Sequence, residues 1–209
     1  MTDQLCLHDL SFKRKHHVLF SKLHHTINAG EIIQVRGHNG SGKSTLLRIL
    51  AGFIEPHSGM VTWNGLCISK DRENYIENMI YIGHSNGIKP NLTVYENLSL
   101  TCILTGFQSK DLHIIIKKAG LEAVSHIRAQ YLSAGQLRRL CLARLMFASS
   151  TVWLLDEPNT ALDDEGQGLL NTLLRNHIIN HGIAVIATHQ ALLLNHTVKT
   201  IFLGDHHAA

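Results

Sequence analysis

The sequence predicts an α/β chain. It expects a mostly parallel sheet, a small antiparallel β part and an inserted helical block. Three observations carry this. Short apolar runs recur at "EIIQVRG" (31–37), "NMIYIGH" (78–84), "TVWLLDEP" (151–158) and "GIAVIATH" (182–189), alternating with helical stretches. Strands that are apolar throughout are buried on both faces, as a parallel sheet with flanking helices requires. From about 91 to 150 the strand signal gives way to helical periodicity, read over 93–105, 109–119, 121–128 and 134–149.

The remaining elements rest on local signals. Residues 5–9 and 17–27 alternate loosely, as short strands do. "SGMVTWNGLCI" (58–68) predicts a hairpin turning at Asn64-Gly65. "KSTLLRILAGF" (43–53) places Leu46, Leu47 and Leu50 on one helical face. A helix is expected over about 163–180, another helix start after 189, and a closing strand over 197–205. A length of 209 residues fits one domain. Its core is expected at about 1–90 and 151–209, with a helical subdomain at about 91–150.

Composition narrows the function classes. Apolar residues make up 44% and charged residues 17%, an ordinary globular balance. A net charge of +3 is too weak to argue for a nucleic-acid partner. The 16 histidines include the pairs His16-His17, His24-His25 and His206-His207, which match no metal-binding spacing. Cys6, Cys67, Cys102 and Cys141 lie far apart and suggest a reducing compartment. The first 20 residues carry their basic run after the apolar ones, unlike a signal peptide. No stretch approaches the roughly 18 apolar residues of a membrane span, so a membrane would matter through a partner.

"GHNGSGKST" (37–45) fits G-x-x-x-x-G-K-[ST], after a strand and before a helix. It resembles the phosphate loop of P-loop NTPases. Gly37, Gly40 and Gly42 let the backbone curl, so that N–H groups from Gly37, His38, Asn39, Gly40, Ser41 and Gly42 face an anion. The helix opening at Lys43 adds its unpaired N–H groups and positive end. Lys43 brings a point charge to the β- and γ-phosphates, Ser44 a hydroxyl to Mg²⁺, and Thr45 faces the α-phosphate. ATP and Mg²⁺ are the expected ligands.

"VWLLDEP" ends an apolar strand in two acids, and neighbouring strand residues point to opposite faces. Asp156 is assigned to the metal side. Glu157 is assigned as general base or water-positioning group for attack on the γ-phosphorus. His189 ends another strand, at the carboxyl edge where such sheets meet ligand, and can bond a γ-phosphate. In "LSAGQLRRLCLARL" (132–145), Ser133 and Gln136 predict a capping box, while Ser133, Ala134 and Gly135 leave a helix mouth open to an anion. A second phosphate-binding mouth in one chain suggests that two chains share a nucleotide.

With these motifs in this order, the chain resembles the ATP-binding subunits of ABC transporters. The resemblance covers the phosphate loop (37–45), the signature (132–136), the acid-ended strand (152–157), the "TALD" loop (160–163) and His189. It implies two copies bound head to tail, each Ser133–Gln136 segment capping the ATP held by the other copy's Gly37–Thr45, with Asp163 running across the interface. Departures stand out. Ala134 replaces a usual glycine, though a methyl group leaves its N–H available. No aromatic residue stands near Arg14–His16 at the usual adenine-stacking offset; Phe12 or Arg14 stands nearest. His84 or Ser85 occupies the place of a usual glutamine. "LHHTINAGEIIQVRGHNGSGKSTLLRILAGFIEPHSGMVTWNG", "YIGHSNGIKPNLTVYENL" and "LSAGQLRRLCLARL" together resemble one subfamily, the haem exporter ATP-binding subunits of bacterial cytochrome c maturation, the CcmA subfamily. That resemblance implies membrane partners like CcmB and CcmC, and a place on the cytoplasmic face of the inner membrane. It also implies ATP hydrolysis coupled to haem export or to release of a haem-loaded chaperone. Short exporter ATPases for lipid, drug or metal cargo share the core motifs.

Overall fold

A computed structural model describes residues 2–83, 87–105, 112–190, 192 and 196–204. The chain divides into two compact units. The first comprises Met1–Tyr81, Ser150–Glu157 and Asn176–Ala209, and the second Ile82–Ser149 and Pro158–Arg175.

The first unit holds two sheets among its described residues. The larger is ordered β6 (Met79–Ile82), β7 (Val152–Asp156), β8 (Ile183–Ala187), β3 (Ile32–Arg36), β9 (Val198–Phe202). The β7–β8, β8–β3 and β3–β9 pairings are parallel. β7 and β8 are buried along their whole length and β3 over its first four residues, as their apolar runs predict. α1 (Lys43–Leu50) buries Leu46, Leu47, Ile49 and Leu50 in the same core as these strands and leaves Arg48 exposed. The second sheet is antiparallel, in the order β2 (His17–Asn28), β1 (Gln4–Arg14), β4 (Ser58–Trp63), β5 (Leu66–Cys67). The β4–β5 hairpin turns at Asn64 (φ 50) and Gly65 (φ 82), the pair of left-handed residues a two-residue turn favours.

One helix of this unit, α2 (Arg72–Glu77), has no counterpart in the sequence expectations. It is six residues long and buries only Tyr75, so it carries no periodic signal. Tyr75 anchors it by donating its hydroxyl proton to the Leu50 carbonyl at 2.8 Å.

The second unit is helical. α3 (Val94–Thr105), α4 (Leu112–Lys118) and α5 (Ala134–Ala143) supply most of its core, with Leu98, Ile116, Leu140 and Phe147 among the buried side chains. α6 (Asp164–Ile179) starts in this unit and ends in the first. α5 gives way at Arg144–Phe147 to a 3₁₀ turn, so regular α form stops short of the expected helix end. The expected helix over 121–128 reduces to a 3₁₀ turn at Glu122–Val124. The carbonyls of Ile127 and Ser125 accept the N–H groups of Val94 and Tyr95, which open α3 and have no intrahelical partner. Thr93 bridges to Arg128 in the same place. The expected helix start after 189 falls largely outside the described residues.

At the far end of α6, His177 stacks on Trp153 with ring centroids 3.8 Å apart, and its Nε2–H donates to the Ile183 carbonyl at 3.1 Å. Burial lowers its pKa from 6.5 to about 4, against the opposing pull of backbone bonds to Ile183 and Thr151. The fold therefore holds a neutral imidazole, while the unfolded chain takes up a proton as pH falls below 6.5. This contribution to stability is full above pH 6.5 and is lost as pH falls towards 4. We expect His177→Phe, which keeps the ring stack, to lose less stability over that window than the parent. Denaturant titrations at a series of pH values measure it; equal losses would show that His177 does not govern the acid limb.

Candidate functional site

In the first unit the phosphate loop leaves β3 through Gly37, at φ 157. A Cβ there would stand 2.3 Å from the Leu203 carbonyl oxygen and 2.4 Å from Ser41 Oγ, so the curl requires glycine. Lys43 is only 8% exposed. Its Nζ donates to the carbonyls of Gly37 at 2.8 Å and His38 at 3.1 Å. The loop thus wraps its own ammonium. His38, Asn39 and Gly40 line the outer side of the loop, whereas Ser41 is buried and its hydroxyl has no hydrogen-bond partner among the described residues.

α1 begins at Gly42 without a side-chain cap and with no acid in its first turn. Its opening N–H groups have no side-chain cap, and its positive end faces no acid of the first turn, an arrangement suited to an anion. Thr45 is half-buried in that first turn. Ser44 Oγ donates to Asp156 Oδ1 at 3.0 Å, which joins the helix start to the end of β7. Asp156 is 2% exposed. A hydroxyl and a buried carboxylate at this separation are hard oxygen donors of the kind Mg²⁺ takes.

The two acids part company for a reason other than strand pleating. Asp156 is the last residue of β7, in register with Ala187. Glu157 turns into the left-handed region at φ 50, and its N–H donates to the Ala187 carbonyl at 2.8 Å. That turn brings Glu157 Oε2 to 3.2 Å from His189 Nδ1. Glu157 is mostly shielded, its side chain 18% exposed, and His189 is open at 57%. The sequence singles out both residues but gives no sign that they meet.

Tyr81 and Gln34 carry no signal in the sequence. Burial raises the Tyr81 phenol's pKa; the Arg48 guanidinium hydrogen-bonds it and opposes the rise, while the Asp156 charge adds to it. Gln34 is buried in β3 and donates to the Gln190 carbonyl at 2.6 Å, fixing the chain just past His189. Gln34 stands in no recognised motif, and Tyr81 opens the 81–98 stretch without being singled out there.

In the second unit, Ser133 and Gln136 form the expected capping box. Gln136 N–H donates to Ser133 Oγ at 3.2 Å and Ser133 N–H donates to Gln136 Oε1 at 2.9 Å. The N–H groups of Ala134 and Gly135 lie in the first turn, where no helical carbonyl serves them. Gly135 abuts the "TALD" loop: a Cβ on it would stand 3.1 Å from the Ala161 carbonyl oxygen. Asp163 Oδ1 accepts the Gly166 N–H at 2.9 Å and so caps α6, while its side chain remains more than half exposed. His84 and Ser85 lie outside the described residues. The chain from Lys89 to Thr93 is pinned by Asn97, buried in α3. Its Oδ1 accepts the Lys89 N–H at 2.8 Å and its Nδ2 donates to the carbonyls of Lys89, Leu92 and Thr93.

No helix among the described residues is long and apolar enough to cross a membrane. The family profile for ABC transporters matches residues 20–160. The chain is 41% identical over 198 residues to the cytochrome c biogenesis ATP-binding export protein CcmA of Haemophilus influenzae, covering 94% of this chain and 93% of that one. It is 40% identical to the CcmA of Cupriavidus pinatubonensis, covering 96% and 88%. Among solved structures, a protein described as a putative ABC transporter ATP-binding protein, from Pyrococcus furiosus, superposes with a TM-score of 0.82 at 22% identity, covering 96% of this chain and 97% of that one. That likeness establishes the fold, and the sequence matches establish the kinship. The chain belongs to the ABC transporter family, as an ATP-hydrolysing, ATP-binding subunit of the CcmA kind.

Proposed function

We propose that this chain drives a membrane complex of cytochrome c maturation, coupling ATP hydrolysis to haem export or to release of a haem-loaded chaperone. The observation that carries the chemistry is the convergence at the carboxyl ends of β7 and β8. There the Glu157–His189 contact of 3.2 Å stands beside the Asp156–Ser44 bond of 3.0 Å at the mouth of α1. The names of the relatives support the biological setting.

In this reading Lys43 exchanges its loop carbonyls for β- and γ-phosphate oxygens. The N–H groups of Gly37–Gly42 and the open start of α1 hold the remaining phosphate charge. Ser44 and Asp156 hold Mg²⁺, which when bound draws charge off the β- and γ-phosphates. Glu157 accepts a proton from the attacking water. The water oxygen bonds to the γ-phosphorus, the bridging bond to the β-phosphate breaks, and ADP leaves with its electron pair. His189 orients Glu157 and bonds the γ-phosphate, so phosphate loss is felt at the end of β8.

The second copy completes the site. Ser133, Ala134, Gly135 and Gln136 of one chain cap the ATP held by the other's Gly37–Thr45, and Asp163 runs along the shared surface. Because each chain supplies half of a site, nucleotide binding and association strengthen each other. The pair sits on the cytoplasmic face of the inner membrane, under integral subunits resembling CcmB and CcmC.

Lys43→Ala should weaken ATP binding by about tenfold or more, since a charge-assisted contact is lost; an unchanged titration would refute the phosphate assignment. Glu157→Gln should slow hydrolysis by about 100-fold or more while retaining ATP and favouring the dimer. Turnover at the parent rate would remove Glu157 from the base role. For the setting, the chain should co-purify from native membranes with subunits like CcmB and CcmC, and its deletion should abolish haem-stained c-type cytochromes. Co-purification with an exporter for other cargo, and unaltered cytochromes, would overturn it.

A further inference from the structure

Arg139 lies one turn past the signature, on α5, and has no role in the scheme above. Its side chain is 10% exposed. Nη1 donates to Glu165 Oε2 at 2.7 Å, and Nη2 stands 3.8 Å from Asp163 Oδ2. Nε is buried with no hydrogen-bond partner among the described residues. The guanidinium fits because Gly120, just past α4, has no side chain: a Cβ there would stand 2.7 Å from Nη1. The end of α4, α5 and the start of α6 thus meet on one buried cation.

Burying a guanidinium costs free energy that a mostly exposed carboxylate partner repays poorly. Glu165 is 79% and Asp163 55% exposed. Nor does α6 need the cation. Asp163 already caps Gly166, and Asp164 and Glu165 lie in the first turn, where the helix dipole favours acids. What Arg139 adds is a joint between α5 and the loop before α6. It does so alongside two other contacts, Arg138 Nε–H to the Pro158 carbonyl at 3.1 Å and Gly135 against Ala161. The three contacts run along the first turns of α5 and along 158–165, the segment that continues directly from Glu157.

We infer that Arg139 is a positioning residue that fastens the Ser133–Gln136 turn to the 158–165 segment, setting the angle at which the turn's N–H groups meet the nucleotide of a second copy. This rests on the shared-site reading proposed above. It makes the capping turn and the Asp163 loop one body, so whatever moves one moves the other.

The test is made in the Glu157→Gln background, with dimer formation followed by sedimentation against ATP concentration and single-chain affinity followed by ADP titration. Arg139→Ala should raise the ATP needed for half-maximal dimerisation by about tenfold, with ADP affinity unchanged. Arg139→Lys keeps the charge but loses the planar fork, and should fall between Ala and the parent. Glu165→Gln, on an exposed acid, should shift dimerisation in the same direction while lowering the melting temperature less than Arg139→Ala does, and it keeps the question decidable if Arg139→Ala does not fold. Dimerisation at the parental ATP concentration in Arg139→Lys and Glu165→Gln would overturn the inference. So would parallel losses of ADP affinity and melting temperature, which mark a merely structural role. If the Glu157→Gln parent itself stays monomeric with ATP, the shared-site reading falls and this inference with it.

Discussion

Lys43 carries a positive charge to a place where little of it meets water, and that charge must be surrounded by oxygen. Those oxygens are the loop's own carbonyls at Gly37 and His38. This need closes the loop around the ammonium and lays the peptide N–H groups along the rim. It also fixes where α1 starts, because Lys43 is its first residue. α1 in turn shares its core with β3, β7 and β8. The phosphate loop is therefore a structural device before it is a binding device.

The two acids at the end of β7 depend on that arrangement in different ways. Asp156 is held by the parallel pairing of β7 with β8 and by Ser44 on α1. Glu157 is aimed by one left-handed residue conformation, its own, and by its bond to Ala187. A non-glycine residue in that region carries backbone strain. The strain sits where the chain must leave a buried strand and present a carboxylate to His189 within a single step. Strand alternation would also have separated the acids, but it would not have produced the contact with His189.

Much of the fold was legible because its signals are local and repetitive. The apolar runs of β3, β7 and β8, the Asn64-Gly65 turn and the Ser133/Gln136 capping box all emerged as read. What failed to show is what one part of the chain does for another. The segment 121–128 has helical composition, yet its carbonyls serve the start of α3. α2 is too short to show a period and buries a single tyrosine. Arg139 and Asn97 stand among ordinary helix residues; their partners, at Glu165 and at Lys89, are named only by the fold. The candidate site shows the same division. The motif residues could be picked out singly, but the meeting of Glu157 with His189 could not.

The capping box at α5 has a chemical corollary. Glutamate at position 136 would close the box as well as glutamine does, since only a side-chain oxygen is needed to accept the Ser133 N–H. Glutamate would, however, bring a negative charge and no donor to the mouth of the helix. Glutamine spends its oxygen on the cap and keeps both amide hydrogens to offer. Ser133 is matched to it: its oxygen accepts from Gln136, and its hydroxyl proton is still available to give. The pair commits its acceptors to the cap and keeps its side-chain donors. In the shared-site reading proposed above, such a turn would meet an oxyanion with donors rather than with acceptors.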